Sequence, residues 1–405
     1  MSTDKHIYYF DHNATTPVAP EVLEVMLPYL STAWGNPSSA YRFASHIADE
    51  IEGARESVAQ LINADPRQII FTSCGTESNN AAFHSALCAN PHKRHVITSA
   101  VEHSANIQYC KYLQRRGFEV TLIPVDSDGL LDLFLLDQSI RPDTALVSIM
   151  WANNETGILC PIEEIAALCR AKGVPFHTDG VQAAGKIPID VQKIPIDFLS
   201  LSAHKLRAPK GIGALYLRNR SSFQPYVIGG HQERGKRGGT ENVAGIIAFG
   251  KAAEMALQHL PEENTRVRQL RDGVEAKLLR EIPGSRRNGA KEPRLPNTIN
   301  LAFSQVEAEA VLLKLDQARI CASSGSACTT GSIEPSHVLT AMNVRRDLAK
   351  SSLRFSFGIE NTAEEILYLE QSLPPIIHSL REAGTPLHSL SPSEEIADKT
   401  NPVSA

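Results

Sequence analysis

Phe198-Leu199-Ser200-Leu201-Ser202-Ala203-His204-Lys205 is the stretch on which the reading of this chain turns. Its first four residues are a short apolar run of strand type, and its last four set a lysine beside a hydroxyl and an imidazole just where that strand should end. Runs of the same kind precede it: Ile69–Thr72, residues 95–98, Glu119–Ile123, residues 145–149 and residues 174–177. Between them, Ile47, Ile51, Ala54, Val58, Leu61 and Ile62 keep one apolar face at helical spacing, and segments 81–89 and 162–168 do likewise. Strands alternating with amphipathic helices predict a mostly parallel, doubly wound α/β lobe. Ligands of such sheets bind beyond the carboxyl ends of the strands, so a polar cluster at a strand end is a candidate site.

After Pro261 the pattern changes to a charged helix over residues 262–279, a strand over Thr298–Phe303, a helix over residues 307–315 and a strand at Leu353-Arg354-Phe355. This reads as a smaller α+β lobe. Thr362-Ala363-Glu364-Glu365 is a capping box opening a last helix, expected to stop near Pro374-Pro375 or a little past it. Residues 385–405 mix Ser, Pro, Asp and Glu with few apolar side chains and are expected to stay disordered. The 405 residues, 42% hydrophobic and 21% charged, suit two packed lobes of a globular protein. The net charge of −5 argues against nucleic acid as the main partner. Neither a secretory leader nor a membrane-spanning run is visible, and the seven cysteines include no C-x-x-C pair, so a cytoplasmic, reducing setting is expected.

The polar clusters at the strand ends carry the chemistry. Lys205, if desolvated there, shifts toward the neutral amine that forms imines with carbonyl compounds, although an isolated loop lysine is more often a solvated cation. His177-Thr178-Asp179 ends another strand; its carboxylate can pair with a pyridinium nitrogen and keep it protonated, which pyridoxal phosphate needs in order to act as an electron sink. An H-x-D metal pair is the competing reading, but no third or fourth ligand has suitable spacing. Gln182 lies just beyond, placed to donate to the phenolic oxygen of such a cofactor. Gly75-Thr76-Glu77-Ser78 joins a strand to a helix, so the Thr76 hydroxyl and the first free backbone N–H groups converge where a phosphate fits, or else form a plain N-cap. His103 comes after the strand at 95–98, where its ring can lie on the cofactor and move protons, unless it is a packing residue. Asn153-Asn154-Glu155-Thr156-Gly157 offers amides to a substrate carboxylate, or is simply a turn.

Two further loops complete the picture. The segment 229–242, GGHQERGKRGGTEN, is basic and glycine-rich, suited to close approach to a phosphate; it is expected to complete the site of a second subunit in a dimer rather than to fold back on its own lobe's site. The segment 321–332, CASSGSACTTGS, is small and polar with almost nothing to pack into a core, which describes a mobile loop and an accessible thiol. Cys88, Cys110 and Cys169 lie in helical patterns and read as inert packing residues.

In order and setting, Thr76, His103, Asn154, Asp179, Gln182, Lys205, Thr240 and Cys328 resemble the site residues of cysteine desulfurases, the NifS/IscS group in class V of the aminotransferase superfamily. The resemblance runs from Tyr9-Phe10-Asp11-His12-Asn13-Ala14-Thr15-Thr16-Pro17 to about Leu380; HTD-x-VQ, S-x-HK and SSGSAC carry it. It implies the type I fold of enzymes dependent on pyridoxal phosphate: a large lobe, residues 15–260, with a mostly parallel seven-stranded sheet, and a small lobe from residues 1–14 and 261–384 bearing the mobile loop 321–333. Lys205 would anchor the cofactor as a Schiff base and carry the proton at the substrate Cα; His103 would stack on the ring. Asp179 would meet the ring nitrogen and Gln182 the phenolic oxygen, while Gly75, Thr76, Ser202 and His204, with Thr240 of a second subunit, would hold the phosphate. Asn13, Asn154 and Arg354 would bind the carboxylate of L-cysteine, Arg354 through a two-pronged contact. Cys328 as thiolate would take the sulfur, leaving a persulfide and L-alanine.

The resemblance further implies a homodimer and transfer of sulfur to a NifU- or IscU-like scaffold for iron–sulfur cluster assembly, with transient contact between Cys328 and an iron–sulfur cluster. The loops 231–242 and 326–337 look closer to the nitrogen-fixation branch than to housekeeping members, pointing to nitrogenase maturation. A general sulfur donor, or another class V aminotransferase or lyase, is the alternative within enzymes; a catalytically silent scaffold is the alternative outside them. Gly180, where the family commonly has alanine, and Gly75, where some members do, are small-for-small departures.

Overall fold

Strands of four or five residues, almost wholly apolar, can be satisfied only when covered on both faces, and they assemble here into one seven-stranded sheet. The computed structural model describes residues 6–324 and 334–384; Cys328, the rest of 325–333, and the tail 385–405 lie outside the described residues. In chain order the strands are β1 (Ile69–Thr72), β2 (His95–Ser99), β3 (Glu119–Ile123), β4 (Thr144–Ser148), β5 (Phe176–Asp179), β6 (Phe198–Ser202) and β7 (Gly213–Leu217). They lie in the order β1-β7-β6-β5-β4-β2-β3, all parallel except β7, which runs antiparallel to both neighbours. Only the edge strand β3 keeps exposed positions.

The sequence reading missed β7. Gly213-Ala214 begins it with two small residues that carry little strand signal. The tertiary structure demands that smallness: a Cβ on Gly213 would lie 2.7 Å from the carbonyl carbon of Cys74 and 2.8 Å from the Leu201 carbonyl oxygen. β5 begins two residues later than expected, because Asp179 pairs in register with Ser200 of β6. That shift draws the Asp179 carboxylate into the end of the sheet itself.

The helix Ile47–Leu61 packs on the helix Val243–Glu262, and Gly250 faces Ala54 so closely that a Cβ there would stand 2.5 Å from the Ala54 Cα. From the same helix, Arg55 reaches the glycine-rich loop. Its guanidinium donates twice to Glu233, at 2.7 and 3.0 Å, and Glu233 also accepts from the Phe71 N–H at 2.9 Å. Both side chains are buried, so removing one strands the other charge in a dry interior. Arg55→Ala is expected to lower unfolding stability by about 3–5 kcal/mol in a denaturant titration; a loss below about 1 kcal/mol would show that water reaches Glu233.

The small lobe has its own core, which includes Phe10, Val274, Leu301, Phe355, Leu369 and Ile377. Its sheet is antiparallel, in the order Ser323–Ser324, Ser352–Ser356, Thr298–Phe303, Ser285–Arg287. Tyr8–Tyr9 lies parallel to Ile320–Cys321, so the N-terminal segment joins this lobe. The expected helix over 262–279 is instead the end of Val243–Glu262, a π-helical stretch Glu263–Val267 and Arg268–Glu281. The capping box forms, with Thr362 N–H on Glu365 at 3.1 Å and Glu365 N–H on the Thr362 hydroxyl at 3.2 Å. Its helix, Ala363–Gly384, runs through both prolines and nine residues beyond. Leu369, Leu373 and Ile377 hold its apolar face in the core, which outweighs the prolines' local preference.

Cys110 and Cys169 are buried packing residues, whereas Cys88 is exposed at its helix end. No helix among the described residues is long and apolar enough to cross a membrane.

Candidate active site

The carboxyl ends of β2, β4, β5 and β6 and the loop after β1 open on one cavity between the lobes. Lys205 stands in it on a single 3₁₀ turn, Ala203–Lys205, directly after β6. Its Nζ donates to the carbonyls of Asn13 and Ala14, at 2.5 and 2.7 Å, so the amine is tethered across the cavity to the N-terminal segment. Ser202 and His204 flank it. Burial, reinforced by Lys205 and Lys210, pulls His204 down to about 4, so its ring is neutral at physiological pH and shares a 3.1 Å hydrogen bond with the Thr15 hydroxyl.

On the cavity floor Asp179 is buried. One carboxylate oxygen accepts from Asn79 Nδ2 at 2.7 Å and the other from the Val181 N–H at 3.0 Å, which fixes the carboxylate while leaving each oxygen further accepting capacity. His103 caps the helix Ser104–Arg115: its Nδ1 accepts from the Ala105 N–H at 3.2 Å, so the neutral ring carries its proton on Nε2. Burial holds His103 below its ordinary value; Lys205 and His337 push the same way, and Asp179 opposes. Beneath it Glu102, pushed by burial up to about 7, accepts from Ser99, Asn106 and the Met150 N–H and ties the β2 loop to the end of β4.

The helix Gly75–Ala89 begins at the cavity with no side-chain cap from Cys74, and Thr76 is exposed at its first turn. Its free N–H groups therefore face the cavity unclaimed by a capping side chain, an anion site by construction. Space at Gly75 is tight: a Cβ would come within 2.8 Å of Val181 Cγ2, so an alanine there needs the Val181 side chain to shift.

From the small lobe, Arg354 donates to the Asn154 carbonyl at 2.9 Å and to Asp11 at 2.6 Å, and its buried Nε has no hydrogen-bond partner. Asp11, which the sequence reading did not single out, is thus the carboxylate that occupies Arg354 here. Burial pushes the Asp11 carboxyl up, and Arg354 opposes. Asn13 donates to the Asn154 carbonyl at 3.2 Å and to Thr298 Oγ1 at 2.9 Å.

The cavity thus gathers Gly75, Thr76, His103, Asn154, Asp179, Gln182, Ser202, His204, Lys205, Asn13 and Arg354 from separate loops. Thr240 is exposed on the glycine-rich loop and does not line it. That loop is held to its own lobe by Glu233 and by Arg237, whose Nε donates to Glu77 at 3.0 Å. Cys328, both as nucleophile and as an iron–sulfur contact, lies outside the described residues. The segment's two ends are described: Ser323 pairs in register with Arg354 of the cavity wall, while the Ser336 hydroxyl donates to Glu155 at 2.5 Å and His337 Nε2 contacts the Glu102 carbonyl at 2.9 Å, residues next in sequence to the cavity-lining Asn154 and His103.

Chemically, an amine, a buried carboxylate with accepting capacity and an uncapped helix start, set around one cavity, fit pyridoxal phosphate. Asp179 suits its ring N–H, and the helix start with Thr76, Ser202 and His204 suits its phosphate. Lys186, Asn79 and Asp11, which the sequence reading passed over, buttress these groups. Their only sequence signal was proximity to a motif, Lys186 standing four residues after Gln182.

The family model for class V aminotransferases matches residues 8–369. Cysteine desulfurase 2 of Trichormus variabilis is 52% identical over 375 residues, 93% of this chain and 94% of that protein. Cysteine desulfurase NifS of Azotobacter vinelandii is 49% identical over 377 residues, again 93% and 94% of the two chains. Among solved structures, a NifS-like protein superposes with a TM-score of 0.87 at 36% identity, covering 92% of this chain and all of that one.

Proposed function

The chain belongs to the class V aminotransferases and, within them, to the cysteine desulfurases dependent on pyridoxal phosphate, and from that premise we propose how its residues divide the work and where the sulfur goes. The observation that carries the proposal is the fastening of the Cys328 segment at one end to Arg354, in the cavity that holds Lys205 and Asp179, and at the other to Glu155, the neighbour of cavity-lining Asn154. Cys328 comes only four residues after Ser324, a span of at most about 14 Å.

Arg354 and Asn154 take the carboxylate of L-cysteine, Asp11 yielding the guanidinium. Asn13 keeps the wall between them in place. Asp179 holds the ring nitrogen, His103 stacks on the ring, Gln182 donates to the phenolic oxygen, and Gly75, Thr76, Ser202 and His204 hold the phosphate. When bound, pyridoxal phosphate supplies an electron sink for charge developing on substrate carbon. Lys205 takes and returns the proton at the substrate Cα, a role that suits a flexible amine reaching past the Asn13 carbonyl. The Cys328 thiolate forms a bond to the substrate sulfur as the carbon–sulfur bond breaks. The balance is one thiol and one cysteine giving one persulfide and one alanine, with no outside oxidant.

The active unit is a cytoplasmic homodimer in which Thr240 of each protomer reaches the phosphate of the other. Leu23, Leu27, Leu30, Trp34 and Phe43, all exposed on one chain, support an apolar interface of that kind. The persulfide passes to a NifU- or IscU-like scaffold for iron–sulfur clusters, in the first place for nitrogenase maturation. Incubation of the holoenzyme with L-cysteine and a dithiol is expected to release alanine and sulfide in equal amounts. Pyruvate formed from alanine without sulfide would instead mark an aminotransferase.

A further inference from the structure

Behind Gln182, on the side away from the cofactor cavity, lies a buried lysine that the chemistry above does not use. Lys186 is buried, and its Nζ donates to Gln182 Oε1 at 2.7 Å and to Asn13 Oδ1 at 3.0 Å. An ammonium can only donate, so it selects the oxygen end of each amide. The nitrogen ends then point the other way: Gln182 Nε2 donates to the Asn13 carbonyl at 2.9 Å, the same oxygen that holds Lys205 Nζ, and Asn13 Nδ2 donates to Asn154 and Thr298. Asn13 Oδ1 also accepts from Asn297 Nδ2 at 3.2 Å, so its orientation has a second support, but without the cation the Gln182 amide can turn over and set oxygen against oxygen. A second, smaller cavity behind Lys186 supplies its surroundings, with Glu263, His12, His259 and Glu360 on its walls. Burial pulls Lys186 down and pushes Glu263 up while each opposes the shift of the other; Lys205 and Arg354 add to the pull on Lys186.

We propose that Lys186 is a positioning residue whose amine, donating to Gln182 Oε1, orients the Gln182 amide toward the cofactor cavity and thereby sets the charge state of the bound cofactor. The inference rests on the placement of Gln182 beside the phenolic oxygen proposed above. Glu263 is the counter-charge that tunes it from behind.

The test is a pH titration of the visible absorption of the holoenzyme, together with the dissociation constant for pyridoxal phosphate. Loss of a nearby cation disfavours deprotonation, so Lys186→Met is expected to raise the titration midpoint by about one pH unit. It should also weaken cofactor binding roughly tenfold, as loss of a supporting hydrogen-bond partner does elsewhere. Gln182→Ala should move the midpoint as well, and the Lys186→Met shift should largely vanish in that background. Glu263→Gln removes the charge that opposes the downward pull on Lys186, so it is expected to raise the midpoint in the same direction as Lys186→Met, by less. If Lys186→Met and Gln182→Ala shift the midpoint additively, or if Glu263→Gln and Lys186→Met shift it in opposite directions, Lys186 does not act through the amide. If Gln182→Ala alone leaves the midpoint in place, the placement of Gln182 fails first and the inference falls with it; a shift in Gln182→Ala without one in Lys186→Met sinks only the inference.

Discussion

Lys205→Ala is expected to lower alanine formation from L-cysteine by on the order of 10⁴-fold or more and to leave the purified protein without the yellow absorption of a lysine-bound cofactor. The size of the effect comes from two roles in one side chain. Lys205 is the amine in the cavity, set on the short turn after β6 and tethered to the carbonyls of Asn13 and Ala14, and it is the group within reach of a proton on substrate carbon. Asp179, Thr76 and His204 would still bind pyridoxal phosphate, but without covalent attachment or proton transfer. Folding should survive, because Lys205 fills no part of either hydrophobic core. A folded Lys205→Ala protein that stays yellow after gel filtration and turns over cysteine at more than about a hundredth of the native rate would place the amine elsewhere.

Cys328→Ala separates cofactor chemistry from sulfur transfer. This variant is expected to stay yellow and to bind L-cysteine, while sulfide release in the presence of dithiol falls at least about 10³-fold. The informative comparison is Cys74→Ala, because Cys74 lines the cofactor cavity and is the described thiol best placed to substitute. Cys321 is a weaker competitor: burial pushes its thiol up, and its strand is paired to Tyr8–Tyr9. Cys74→Ala should retain most activity, since a thiol at the start of the helix Gly75–Ala89 faces the phosphate end of the site rather than the carboxylate end marked by Arg354. If Cys74→Ala abolished sulfide release and Cys328→Ala did not, the persulfide would belong on Cys74.

Much of this molecule was legible before its structure. β1 and β3 were placed to the residue and β6 to within one, because each is a short run of β-branched or large apolar side chains cut off by polar neighbours. The polar residues after those strands could be read as a site for a general reason: in a parallel sheet all carboxyl ends lie on one edge, so loops far apart in sequence converge. β7 was illegible because its defining residues are small for reasons that lie in Cys74 and Leu201, not in its own pattern. The helix through Pro374 and Pro375 was misjudged for the same kind of reason, its apolar face being held by the small-lobe core.

The sequence by itself determined the fold class and the list of chemical groups, since hydrophobic period and residue type are local properties of the chain. Only the tertiary structure decided which charges answer one another. Asp11 occupies Arg354 across 343 residues, Asn79 steadies Asp179 across 100, and Lys186 donates to the oxygen of the Gln182 amide from a buried position four residues away. Burial and orientation come from packing of distant segments, and the protonation state and hydrogen-bond direction of a polar group are set by those two quantities rather than by its neighbours in sequence.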